Sequence, residues 1–135
     1  MAFQFSTSSR NAALDAIETT IGASAIVKIR SGAAPANCAT ADSGTVLATL
    51  NLPADYFSSA SNGSKTLLGT WQDTSADAAG TAGHFRMYAS DGTTCHIQGT
   101  ITATGGGGDM TLDNTSIASG QQITITSFTI TAGGA

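Results

Sequence analysis

Charge is scarce in this 135-residue chain: Asp, Glu, Lys and Arg make up 10% of it, and the formal net charge is -4. Its cations are Arg10, Lys28, Arg30, Lys65 and Arg86. They form no stripe that could neutralise successive phosphates, so no nucleic-acid partner is expected. Long apolar runs are also missing. Nothing approaches the roughly 20 residues of a helical bilayer span, and no membrane role is expected. The start, Met1-Ala2-Phe3-Gln4-Phe5-Ser6, has neither the basic region nor the apolar block of a secretory signal. Synthesis in a reducing cytoplasm is expected, where Cys38 and Cys95 would stay separate thiols by default. The sequons Asn62-Gly63-Ser64 and Asn114-Thr115-Ser116 then carry no glycan, and the first reads as a turn. Aromatics are 6% of the chain, few enough that most are needed as core anchors.

What the chain has instead is small residues: Ala, Gly, Ser and Thr supply roughly half of it. Its 41% hydrophobic content, much of it in alternating Ile, Val and Leu, suffices to offset ordering entropy, and the length suits a single core. Helical spacing occurs once, over Ser9–Ile21, where Ala13, Leu14, Ile17 and Ile21 share a face. Ser8 or Ser9 is placed to cap this helix and Gly22 to end it. Everything afterwards has period two. Val27 and Ile29 alternate with Lys28 and Arg30, as in a strand with one wet side. Val46, Ala48, Leu50 and Leu52 repeat the pattern.

Between those strands, residues 31–44 have no period and collect turn residues, which predicts a long surface loop of the kind that binds partners. Asn62-Gly63 marks a tight hairpin, a strand through Trp71 follows, and Ser90-Asp91-Gly92-Thr93 joins a second hairpin. Gly105–Gly108 reads as a flexible break before a short strand at Asp109–Asp113. In a last strand, Gln121–Thr131, Ile123 and Ile125 have opposite parity to Phe128 and Ile130, so a bulge or bend is expected near Thr126-Ser127. The predicted architecture is mainly β, an antiparallel β-sandwich or jelly-roll-like domain with one N-terminal amphipathic helix. A single domain over residues 1–135 divides into an arm at 1–9, a helix at 9–21 and a sandwich at 25–131.

The residue types that carry chemistry are poorly placed for it. Cys95 and His96 are adjacent on a strand and point to opposite faces, so they cannot share an ion. Depending on the turn register, His84 lies on the face opposite His96 or about 13 Å along the same one. Asp73 and Asp77, or Asp109 and Asp113, lack the alternating spacing of a calcium loop, and the glycine run lacks the Lys and helix of a phosphate cradle. No serine sits in a nucleophile elbow. No metal, cofactor or catalytic residue is assigned, and an enzyme is the weakest class. Cys38 and Cys95 could pair only if the loop folds across the second hairpin.

Four blocks carry a resemblance: 10–18 (RNAALDAIE), 32–38 (GAAPANC), 80–86 (GTAGHFR) and 92–100 (GTTCHIQGT). Together they resemble a family of small proteins encoded in the structural gene blocks of tailed bacteriophages. The resemblance implies a virion component on the outer head surface, made in the host cytoplasm. It would be a decoration or cement protein that binds the major capsid protein and stabilises the head by bridging capsid subunits. The alternative is a neck, tail or fibre-associated protein, with Tyr56 or Trp71 touching host glycans. Partner contact is expected from the arm through Phe3 and Phe5, and from the loop through Pro35, Asn37 and Asp42. A homo-oligomer, dimer or trimer, is expected on the particle, because an open sandwich leaves sheet edges to be paired.

Overall fold

The segment with helical spacing becomes α1, Thr7–Ile21, in a computed structural model that describes residues 3–134. The first two residues of the expected arm lie outside the described residues. Ser6 is the cap, in place of Ser8 or Ser9. Its backbone is extended and its hydroxyl accepts the Ser9 N–H at 3.1 Å. The helix thus starts earlier than its apolar stripe. Leu14 and Ile21 are buried, but Ala13 and Ile17 are exposed.

The helix is rolled toward a polar seam. Asn11 Oδ1 accepts the Gly63 N–H at 2.8 Å, and buried Lys65 reaches Asp15 at 2.6 Å and Glu18 at 2.9 Å. Burial disfavours the Lys65 ammonium, but its bonds to Asp15 and Glu18 prevail and raise its pKa above the ordinary lysine value. Hydrophobic spacing cannot anticipate this, because the face is chosen by an ion pair made with residues far along the chain.

Ten strands follow among the described residues: β1 Ile26–Ser31, β2 Val46–Asn51, β3 Ser64–Thr66, β4 Trp71–Asp73, β5 Gly80–Tyr88, β6 Cys95–Ala103, β7 Met110–Leu112, β8 Ser116–Ile117, β9 Ile123–Ile125 and β10 Thr129–Thr131. The main sheet runs β2-β1-β5-β6-β7, with β8 also on β5, and two ribbons pair β3 with β10 and β4 with β9. Every pairing is antiparallel except β6 with β7, which is parallel. The sheet is therefore mixed, where an antiparallel one was expected.

The parallel return depends on the four glycines. Adjacent parallel strands ordinarily need a connection of a dozen residues or more, yet here Ile101 pairs with Met110. Gly105 and Gly107 take positive φ, and a Cβ on Gly106 or Gly108 would lie 2.7 Å and 2.9 Å respectively from Thr102 atoms. The Gly108 N–H bonds Thr102 Oγ1 at 3.0 Å, and the Thr100 N–H bonds Asp109 at 2.9 Å. The run is a packed reversal, not the flexible break its composition suggested.

Local turn chemistry is realised more directly. Asn62 and Gly63 both have positive φ, and Ser61 and Ser64 exchange backbone bonds of 2.9 and 3.0 Å. The second hairpin turns over 89–94, with Asp91 accepting the Thr93 and Thr94 N–H groups. A register shift beside Tyr88 leaves His96 unpaired. The parity fault in the last strand is resolved by a break: β9 pairs with β4, β10 with β3, and Ile123, Ile125 and Phe128 are all buried.

The core is an aromatic chain set among aliphatic side chains such as Ile29, Leu47, Leu50 and Ile125. Trp71 lies 5.5 Å from Phe57 and 5.7 Å from Phe128, and Phe85 meets Phe128 at 5.4 Å, ring centre to ring centre. The Trp71 indole N–H donates to the carbonyls of Tyr56 and Leu68, and the Tyr56 hydroxyl donates to the Gly22 carbonyl at 2.8 Å, tying the helix end to the core.

Candidate functional site

Two surfaces concentrate the residues singled out from sequence: the loop between β1 and β2, and the arm before α1. The face of β1 carrying Lys28 and Arg30 was expected to be wet. Instead the loop, residues 32–45, lies across it.

The centre of that contact is Arg86, toward the C-terminal end of β5 and 2% exposed. Its Nη1 donates to Asp42 at 2.6 Å, its Nη2 to the carbonyls of Asn37 and Thr40 at 2.8 Å each, and its Nε to Gln98 at 3.1 Å. Asp42 also receives Arg30 at 3.0 Å and the Tyr88 hydroxyl at 2.7 Å. Burial works against this carboxylate, but Tyr88 and the two guanidinium groups outweigh it and hold its pKa below the usual carboxylate value. Burial, reinforced by Asp42, raises the Tyr88 phenol. Lys28 sits 5.1 Å over the Tyr88 ring and bonds the Gly92 carbonyl at 3.0 Å. Gln98 donates to the Pro35 carbonyl at 2.7 Å.

Three of the expected partner-contact residues thus direct polar groups inward: Pro35 and Asn37 through their carbonyls and Asp42 through its carboxylate. The Asn37 side chain closes a turn by accepting the Ala39 and Thr40 N–H groups. Arg86 had no assigned role in the sequence. Its signal was an arginine flanked by Phe85 and Met87 in a strand, which demands a distant anion. The anion's position was not readable, because Asp42 lies in a segment without periodicity.

The arm behaves differently. Phe3 and Phe5 are 68% and 50% exposed and stack edge to face at 5.3 Å. The Phe5 N–H bonds the Gly134 carbonyl at 2.6 Å, so arm and chain end meet. The other six of the chain's eight aromatics are buried. Tyr56 and Trp71 are among them, which removes both from contact with a glycan.

The remaining candidates do not converge. His84 is buried, with Nδ1 2.8 Å from the Gly32 carbonyl; since a carbonyl only accepts, Nδ1 carries the proton. His96 instead lines a groove beside Ala13, Ile17 and Ile21 of α1. Among the described residues, no three His, Cys, Asp or Glu side chains gather as metal ligands would. Cys38 and Cys95, expected to stay separate, are brought together with their sulfurs 2.7 Å apart.

All five cations are buried or half-buried, and Arg30, Lys65 and Arg86 are ion-paired. Asp55, Asp77, Asp91 and Asp113 remain on the surface outside these ion pairs, leaving its charge acidic. The β2 edge is occupied from within. The Thr49 N–H donates to Asp73, and the Leu47 carbonyl accepts the Asp77 N–H at 2.8 Å. Compared with protein-family models, curated proteins and solved structures, the chain matches none.

Proposed function

We propose that the chain is a virion protein of a tailed bacteriophage: a head decoration protein, folded as a sandwich or jelly-roll-like domain, that binds the major capsid protein on the outer head surface and bridges capsid subunits. The four sequence blocks suggest the class. The observation that carries the binding role is the arm, because a chain so poor in aromatics leaves two phenylalanines side by side in water. Exposed apolar surface of that kind is ordinarily a contact site. An acidic exterior suits the outside of a DNA-filled shell better than its inside. On the particle the protein would act as a dimer or trimer around a symmetry axis.

Virions lacking the protein are expected to break at lower temperature and under milder osmotic shock than complete ones; equal resistance would refute cementing. Copy number separates the alternative placement, since a decoration protein approaches the abundance of the major capsid protein and a neck, tail or fibre component does not. Replacing Phe3 and Phe5 by serine should weaken binding to stripped heads by about tenfold or more. The melting temperature of the free protein should stay within about 2 °C, because neither ring belongs to the core. Unchanged binding would remove the arm from the interface.

A further inference from the structure

Cys38 and Cys95 are separated by 57 positions in sequence, yet their sulfurs are in contact at 2.7 Å. Cys38 belongs to the loop and Cys95 opens β6. The loop is held there by bonds that involve neither sulfur: Arg86 grips the carbonyls of Asn37 and Thr40, on either side of Cys38, and Gln98 grips that of Pro35. The thiols are therefore held in contact before any bond joins them, with the sulfurs only about 0.7 Å farther apart than in a disulfide.

A shared metal suits this geometry poorly. Two thiolates on one zinc, each at about 2.3 Å, stand roughly 3.8 Å apart in a tetrahedral site, and no third ligand gathers here among the described residues.

We propose that Cys38 and Cys95 are a disulfide-forming pair that clasps the 32–45 loop to β6 when the protein meets a disulfide-class oxidant such as oxidised glutathione. The Cys38 thiolate attacks one sulfur of the oxidant and displaces one glutathione thiolate, leaving a mixed disulfide on Cys38. The Cys95 sulfur then attacks Cys38 and displaces the second. Two protons and two electrons leave the protein, and one oxidised glutathione becomes two reduced molecules. Burial first, and Cys38 beside it second, push the Cys95 thiol up to about 12. Cys95 is therefore a poor first nucleophile and suits the resolving role, where its target is already in contact. The clasp would persist outside a reducing cytoplasm. It stands independently of the capsid reading.

The test uses the whole purified chain, reduced and then equilibrated with oxidised glutathione. Expected results are a mass lower by two hydrogen atoms, no alkylation of either cysteine, and a peptide map joining Cys38 to Cys95 within one chain. Closing so long a loop should raise the melting temperature by roughly 10 °C, reversed by dithiothreitol and absent in both Cys38→Ser and Cys95→Ser. Alkylation of both thiols at equilibrium, a stable glutathione adduct, chains linked to one another, or an internal bond without a rise in melting temperature would each overturn the clasp.

Discussion

Gly83→Ala is expected to destabilise the protein by about 3 kcal/mol, lowering its melting temperature by roughly 10 °C. Gly83 lies in β5 where β1 slips register and leaves the sheet: Arg30 pairs with His84, but Ser31 pairs with Ala82. The departing chain passes directly over it. A Cβ at position 83 would stand 2.2 Å from the Gly32 carbonyl oxygen and less than 3 Å from two further backbone atoms of Gly32. Backbone on both sides leaves no flexible side chain to give way. The His84 ring holds Gly32 in place from beneath, so relief requires lifting the start of the loop. A thermal melt of the variant checks this, and one within about 2 °C of the parent would show that the crossing tolerates a methyl group. Should the loop lift while the sheet survives, Cys38 and Cys95 would part, and both would alkylate faster than in the parent.

Asp42→Ala is expected to cost about 2–3 kcal/mol. Breaking a buried ion pair by removing one partner costs about 3–5 kcal/mol, because the other charge is left without compensation. Arg86 is the more deeply buried of the two charges so left, and Arg30 is the other. Two features reduce the figure: the Asp42 side chain is 38% exposed, so water enters when it is removed, and Arg86 keeps the Asn37 and Thr40 carbonyls. Asp42→Asn, which retains an acceptor for Tyr88 but no charge, should cost about half as much.

The sign of the acid dependence follows from the lowered folded-state pKa of Asp42. Its stabilisation is fully present above the unfolded value near 4 and is lost as pH falls through the folded value. Asp15 and Asp91 are lowered as well, the first chiefly by Lys65 and the second by Thr94 and Thr93, so acid lability alone does not isolate Asp42. The difference between wild type and Asp42→Ala does. Urea midpoints measured from pH 7 downward should converge below about pH 4, and a gap that stays constant would place the contribution of Asp42 in packing instead of charge.

The sequence by itself determined what depends on neighbours within a few residues. Leu14 and Ile21 mark α1, Asn62-Gly63 makes its turn, Val27 and Ile29 face the core, and the parity fault around Thr126-Ser127 announces the break between β9 and β10. Each follows from backbone preference or from a period of 3.6 or 2, and neither needs distant partners. Only the tertiary structure decided the rest. Which face α1 buries depends on Lys65, and the parallel return of β7 depends on glycines packed against Thr102. The supposedly wet face of β1 is covered because Arg86 and Arg30 share one carboxylate from an aperiodic loop. The same crossing brings Cys38 to Cys95. Ion pairs, close backbone approach and thiol contacts are all relations between segments far apart in the chain, and local pattern carries no information about which distant segment arrives. Phe3 and Phe5 mark the limit from the other side: partner contact was expected of them, and only the folded chain showed that its own core leaves both outside.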